Sequence, residues 1–385
     1  MRGELRFRSG MNDRGRGPIR SSSPAHLVLV PLLVRICLLP HRWAHSMVLL
    51  SSPASLLISS GKTTSPDGQT YTSSPTSSTF VVVPLTESFS LSSSSQLSST
   101  STPAITQSDS GAAPPYAWAN MEALSNGDVW SFGGDGSPVT AVQTGEDSLW
   151  TRPSHGGQFT QREAESAGQP MRRVGAASCS QYLIRPSTLG VTVPPLPRRE
   201  DPRFLKTDPP RMFTFSSAMG DVTYLTGGMR GDGSNLGFLT TYSYSSATSS
   251  FTLLPSTLPL DLVQPSLHCL PNNSLLLLGG YSYTTSSLPS LRTAYTLDTS
   301  KADAEWVTIT LGGNAAPEGR RAHLATTLGS GNGVFVHGGA KGPSGLGEVL
   351  DDAWVLDLEA GAWVAVSPAG TGQSAKQRVR SSLDM

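Results

Sequence analysis

The apolar positions of this chain fall in short runs, and several runs stop at a pair of glycines. Val129-Trp-Ser-Phe132 leads into Gly133-Gly134, and Val222-Thr-Tyr-Leu-Thr226 into Gly227-Gly228. Leu275-Leu-Leu-Leu278 leads into Gly279-Gly280, and Val334-Phe-Val-His337 into Gly338-Gly339. Ser55-Leu-Leu-Ile58, followed by Ser60-Gly61, is a weaker fifth copy. Runs this short, closed by residues that accept φ > 0, predict β-strands ending in sharp turns. From Gly61 to Gly134, Gly228, Gly280 and Gly339 the steps are 73, 94, 52 and 59 residues. Two steps lie close to a repeat period of about 50 residues. The first step contains a Ser/Thr tract, and the second requires an insertion or a lost copy.

The residues around each glycine pair repeat as well. After Gly339 come Asp352-Ala-Trp354-Val-Leu-Asp357 and Trp363; after Gly280, Tyr295-Thr-Leu-Asp298 and Trp306; after Gly228, Tyr242, Tyr244 and Phe251. The steps from Trp354 to Trp363 and from Tyr295 to Trp306 are 9 and 11 residues, which fits two adjacent strands joined by a tight turn. Upstream of the last copy stands Arg320-Arg-Ala-His323, and His45 and His268 take comparable places.

The unit R-x-x-H, apolar strand, Gly-Gly, loop, D-x-W/Y and Trp resembles the kelch repeat, with Arg320–Trp363 the best copy. The resemblance spans residues 42–385 and is nearest to fungal secreted or membrane-anchored, galactose-oxidase-like kelch proteins. Arg42-Trp-Ala-His-Ser resembles their first blade and Phe132-Gly-Gly-Asp-Gly136 their second. It implies an all-β fold, a kelch-type β-propeller of about five blades plus the start of a sixth at Arg378–Arg380, in an incomplete ring. One blade is marginal alone and buries its two faces against its neighbours. The glycines and tryptophans are accordingly read as blade construction, with Trp354 and Trp363 stacked in the last wedge.

Composition divides the chain further. Residues 1–41 form a basic leader in which Arg14, Arg16 and Arg20 precede the apolar run from His26 to Pro40, the layout of a secretory signal. That run carries Arg35 and Pro31 and is too short to cross a bilayer, so no transmembrane helix is predicted. The propeller, 42–385, carries a Ser/Thr-rich loop at 88–110 that cannot bury enough apolar surface to order itself. It also carries an irregular Pro- and Arg-rich insertion at about 177–210, either a true insertion or a retained intron. Met171-Arg-Arg173 reads as the opening of a blade that resumes at Met212, leaving Arg172–Arg173, Arg198–Arg199 and Arg203 open to protease.

Lys+Arg and Asp+Glu stand at 28 each, so no net charge draws the chain to nucleic acid. With 39 Gly and 29 Pro, long helices are disfavoured. Cys37, Cys179 and Cys269 read as three unpaired structural thiols, without the CxxC pattern of a zinc site. Galactose-oxidase-like enzymes hold copper through two Tyr and two His, one Tyr crosslinked to Cys. None of His26, His41, His45, His155, His268, His323 and His337 forms a pair in one loop, and no Glu/Asp/His loop suited to iron is present. No catalytic, cofactor-binding or metal residue is therefore nominated, and no cofactor. The reading is a non-enzymatic scaffold that binds a protein or glycan through loops on one propeller face, in the secretory pathway or outside the cell. The alternatives are a copper-dependent carbohydrate oxidase relative whose site is lost or missing, a truncated non-functional gene product, and a cytoplasmic location. Asn272-Asn-Ser274 is both a glycosylation sequon and an ordinary turn sequence.

Overall fold

The computed structural model describes residues 42–366, apart from 52, 64–73, 86–105, 110, 125, 137–148, 155, 163–169, 182–221, 231–233, 235, 329–330 and 344–347. Every described element is a β-strand, and five four-stranded antiparallel sheets follow one another along the chain. Blade 1 comprises Ser46–Ser51, Ala54–Ser59, Phe80–Pro84 and Thr106–Gln107; blade 2, Asn120–Ala123, Val129–Phe132, Leu149–Arg152 and Thr160–Gln161. Blade 3 comprises Ala177–Gln181, Val222–Thr226, Thr240–Ser245 and Ser250–Thr257; blade 4, Ser266–Cys269, Ser274–Leu278, Thr293–Asp298 and Val307–Thr310. Blade 5 comprises Leu324–Thr327, Gly333–Ala340, Val349–Asp357 and Ala362–Val366. Each sheet pairs its strands in chain order, and the first strands of consecutive blades touch from blade 1 to blade 5. This is a five-bladed β-propeller arrangement with the first strands innermost; among the described residues no comparable contact joins blade 5 to blade 1.

The 94-residue step is explained without a lost copy. Ala177–Gln181 is the inner strand of blade 3 and pairs in full register with Val222–Thr226, so the blade is split around 182–221, outside the described residues. Arg173, read as open to protease, is instead 1% exposed, and Arg172 is buried beside it. Of the Ser/Thr tract, Thr106–Gln107 forms the exposed outer strand of blade 1, while most of the remainder, the leader and Arg378–Arg380 lie outside the described residues.

Each wedge between blades is filled by alternating apolar residues and one ring at the start of the outer strand of the later blade or just before it. Phe159 packs with Leu57, Phe80 and Val129 between blades 1 and 2, and Phe251 with Trp130, Phe132 and Tyr244 between blades 2 and 3. Trp306 joins Tyr224, Leu277 and Tyr295 between blades 3 and 4, and Trp363 joins Leu278, Val336 and Leu356 between blades 4 and 5. Two of the buried indole N–H groups find acceptors in the preceding blade, Trp306 on Thr241 Oγ1 at 3.0 Å and Trp363 on the Leu291 carbonyl at 2.8 Å, whereas that of Trp130 is buried without a partner. Trp354 is only half-buried at this cluster, its indole donating to Asp352 at 2.6 Å.

The blades meet through a repeated backbone joint. The residue two places before each inner strand takes a positive φ: Ala44, Trp118, Gly175, Gln264 and Ala322. The amide of each donates to the carbonyl of the one before, Trp118 to Ala44 (2.8 Å), Gly175 to Trp118 (3.3 Å), Gln264 to Gly175 (2.6 Å) and Ala322 to Gln264 (3.0 Å). A second row runs parallel to it. The second residue of each glycine pair donates to the following blade: Gly61 to Tyr116, Gly134 to Arg173, Gly228 to Leu262 and Gly280 to Arg320, at 2.7–2.9 Å. A Cβ on the first glycine would sit 2.5–2.6 Å from the carbonyl of Arg173, Leu262 or Arg320, so Gly133, Gly227 and Gly279 permit an approach that no other residue can.

The cysteines depart from the expectation. Cys179 and Cys269 are disulfide-bonded, Cα–Cα 5.7 Å, across the inner strands of blades 3 and 4. Inner strands of adjacent blades are the nearest neighbours in this fold, so residues 90 apart in sequence come within bonding range. His268 also changes place: Pro265 precedes the inner strand of blade 4 as His323 precedes that of blade 5, whereas His268 lies within the strand.

Two outcomes follow for stability. Closing a loop of this length removes about 4–5 kcal/mol of unfolded-chain entropy, so reduction, or Cys179→Ala with Cys269→Ala, is expected to lower the melting temperature of blades 3 and 4; an unchanged temperature would mean that the bond bears no load. Trp363→Ala should cost about 3–5 kcal/mol and release blade 5 before blades 2–4, seen as earlier hydrogen exchange over 324–366. Simultaneous loss of protection over 222–310 would instead make the blades one cooperative unit.

Candidate functional site

The two ends of the propeller differ in what the chain places there. The connections between second and third strands follow the glycine pairs and share one end with the joints; we call it the loop face. The opposite end carries the connections from first to second and from third to fourth strands. Several of these are tight turns, at 246–249, 270–273 and 358–361. On the loop face the chain instead runs through 283–292 in blade 4, and in blade 5 the connection's described residues are 341–343 and 348.

These two loops are held together by polar bonds. Asp261 accepts from the Ser282 hydroxyl and from the Thr284 amide and hydroxyl at 3.2 and 3.0 Å, fixing the start of the blade 4 loop. The rings of Tyr281 and Tyr283 meet edge to face at 5.0 Å, and the Tyr283 hydroxyl donates to the Pro343 carbonyl at 3.1 Å. Arg321 lies beneath, bound to the Gly342 carbonyl at 2.6 Å and to the Gln264 side chain; burial lowers its pKa. Lys341, bonded to Glu318 and Glu348, is held in its charged form, its pKa raised. The stretch Thr284–Ser287 is exposed above this base.

Arg320 and Asp352, the R and D of the best repeat, form a bidentate pair at 2.5 and 2.8 Å, with Arg320 fully buried and also donating to the Gly338 carbonyl. Burial alone would raise the Asp352 pKa, but the bonds from Arg320 and Trp354 outweigh it and hold the carboxyl below its ordinary value. Blade 3 solves the same problem with Arg173 on the Gly227 and Thr240 carbonyls, its guanidinium 4.3 Å from the Phe238 ring centre. These arginines close the loop-face end of a blade internally and present no charge to a ligand.

A polar cluster on the inner strands of blades 4 and 5 has a more reactive appearance. Ser266 Oγ lies 2.9 Å from His323 Nε2 and 3.1 Å from His268 Nε2, and His268 Nδ1 lies 3.3 Å from Thr327 Oγ1. His323 Nδ1 is buried without a hydrogen-bond partner. A hydroxyl has one proton to give, so one imidazole donates to Ser266 and the other accepts from it. Leaving an acceptor unpaired at His323 Nδ1 costs less than leaving a donor there, so His323 donates to Ser266, Ser266 to His268, and His268 to Thr327. Burial lowers the pKa of His268 to about 4; burial, then Arg320 and His268, lower that of His323 to about 3. Neither imidazole is oriented by a carboxylate, and bases this weak activate a serine poorly at neutral pH. Between blades 2 and 3, Ser178 donates to Glu122 at 2.8 Å, and burial, opposed by this bond, raises the Glu122 pKa to about 7.

Apart from His268 and His323, which meet at Ser266, the described histidines stand apart. His45, His268, His323 and His337 are distributed over blades 1, 4 and 5, and His26, His41 and His155 lie outside the described residues. Among the described residues no three His, Cys, Asp or Glu side chains come together as a ligand set. Sequence reading passed over the disulfide and the loop-face tyrosines. Aligning Ala177 with Ser266 as strand starts would have placed both cysteines on adjacent inner strands, whereas Tyr281 and Tyr283 stand in a loop without a repeating partner. No known family's sequence model matches the chain, and no curated protein matches it.

The buried acids and bases set opposite pH slopes. The imidazoles bind protons less readily folded than unfolded, so stability falls as pH drops from about 6.5 toward 4. Glu122 has a folded pKa above its ordinary 4.5, so its contribution is lost as pH rises through about 7. Melting temperatures between pH 4 and 8 should pass through a maximum, His268→Gln with His323→Gln flattening the acid limb and Glu122→Gln the other. A wild-type acid limb retained in the double variant would exclude the histidine cluster as its cause.

Proposed function

We propose that this chain is a kelch-type propeller acting as a non-enzymatic interaction scaffold in the secretory pathway or outside the cell, binding a protein or glycan through its loop face. The observation that carries this reading is the Tyr281–Tyr283 loop braced against Gly342 and Pro343, with the exposed stretch Thr284–Ser287 on a base fixed by Asp261 and Arg321. Binding residues concentrate on loops held by a rigid scaffold. Ring edges beside hydroxyl and amide groups suit a glycan or the polar rim of a protein contact. The Arg320–Asp352 pair and the glycine-pair joints tie together the residues whose pattern resembles the kelch unit. The Cys179–Cys269 disulfide supports the oxidising compartment, since such bonds are rare in the cytosol.

A photo-crosslinking residue at Thr285, with the same residue at Ser300 on the opposite face, tests this on secreted protein incubated with extracellular fractions and glycans. Crosslinks at Thr285 that disappear with Tyr283→Ala are the expected result. Equal labelling at both positions would overturn the loop-face assignment. Stoichiometric copper with oxidation of a carbohydrate would replace the scaffold by the oxidase alternative.

A further inference from the structure

We propose that Asn272 is an N-glycosylation acceptor, placing an oligosaccharide on the end of the propeller opposite the loop face. The inference rests on the secretory part of the preceding reading. Asn272-Asn-Ser274 is the one Asn-x-Ser/Thr sequence in the chain. It forms the turn between the inner and second strands of blade 4, and Pro271, Asn272 and Asn273 are all exposed. The turn is held from both sides. The Thr299 amide and hydroxyl both donate to the Asn273 carbonyl, at 2.8 and 2.7 Å, and Asn273 takes a positive φ of 59°. Pro271 lies against Gly331 so closely that a Cβ there would stand 2.3 Å from the proline ring. The acceptor side chain projects from this fixed base. Its Oδ1 accepts the Ser274 amide at 3.3 Å, leaving Nδ2 outside the bonding of the turn.

The disulfide supplies an independent reason. Cys269 is the last residue of the strand entering this turn, and its bond to Cys179 forms in the compartments where N-glycans are attached. In the transfer, Asn272 Nδ2 bonds to the anomeric carbon of the first N-acetylglucosamine of a lipid-linked oligosaccharide. The bond from that carbon to the pyrophosphate oxygen breaks, the lipid pyrophosphate leaves with the electron pair, and the amide nitrogen loses one proton. The product is a large hydrated group on the turn face. No second Asn-x-Ser/Thr sequence stands in the chain, so the loop face carries no N-glycan acceptor.

The full chain should be expressed in eukaryotic cells twice, once with its own N-terminus and once behind a heterologous secretion signal. Total lysate and medium are then mapped by mass spectrometry with and without peptide N-glycosidase. Glycan on the Asn272 peptide in both, abolished by Ser274→Ala and retained by Ser274→Thr, is the expected result. Reading total lysate keeps the measurement valid if a variant fails to leave the cell. Glycan behind the heterologous signal alone would uphold the acceptor and overturn the secretory reading. An unmodified Asn272 in protein whose Cys179–Cys269 bond has formed would overturn the acceptor itself.

Discussion

The fold depends on a row of backbone hydrogen bonds that runs around the axis rather than along any strand. Ala44, Trp118, Gly175, Gln264 and Ala322 each turn the chain into a new blade, and from Trp118 onward each amide reaches the carbonyl of the previous turn. In sheets that are otherwise separate, these links fix the angle and distance between neighbours. The apolar wedges then fill a gap whose width is already set. Four of the five positions carry a side chain at positive φ, a strain of about 1–2 kcal/mol each, and the two amide bonds made at each joint offset it. The glycine pairs serve the same joint from the other side: their first residue lets the next carbonyl in, and their second bonds to it.

This constraint explains which features the sequence displays and which it conceals. At Gly133, Gly227 and Gly279 a carbonyl stands where a Cβ would be, so chemistry leaves one choice and the repeat is visible. Blade 1 shows the exception. Ser60 adopts φ 64° in the first position and uses its hydroxyl on the Pro114 carbonyl at 2.7 Å, so that copy reads as weak although Gly61 makes the same bond to the next blade. The joints themselves are invisible, because Ala, Trp, Gly, Gln and Ala share a conformation and no side-chain property. Arg320 and Asp352 were legible as a motif, whereas blade 4 places buried Leu262 where blades 3 and 5 place arginine. The disulfide was hidden by the segment 182–221, which separates Ala177–Gln181 from the rest of its blade in sequence but not in the sheet.

The inner strands show why a convincing cluster of polar groups need not be a site. A propeller crowds its first strands around one axis, and every second side chain there meets a neighbouring blade. Ser178 bonds with Glu122, and Ser266 with His323, across those boundaries, and His268 joins the second pair from the strand of Ser266. Their displaced pKa values follow from burial, which penalises charge whatever the purpose of the residue. The loop-face groups differ in that their bonds hold loops to each other and leave Thr284–Ser287 exposed above.

The two rows of joint bonds also define what remains open. The described chain makes four links, from Ala44 to Ala322, and among the described residues none joins the Ala322 carbonyl to the Ala44 amide. Blade 5 nevertheless repeats the pair, Gly338 at φ 63° and Gly339 at φ 101°. A Cβ on Gly338 would meet only the Leu350 carbonyl of its own blade, at 3.2 Å, where blades 2, 3 and 4 have the next blade pressed against the glycine. The conformation at Gly338 is thus written by the blade itself before any neighbour arrives. Beside it, Val364 and Val366 on the outer strand of blade 5 stay exposed, while the face toward blade 4 is closed by Val334, Val336 and Trp363. Each blade therefore carries its half of the joint in its own backbone, and docking completes bonds for which the turn is already shaped.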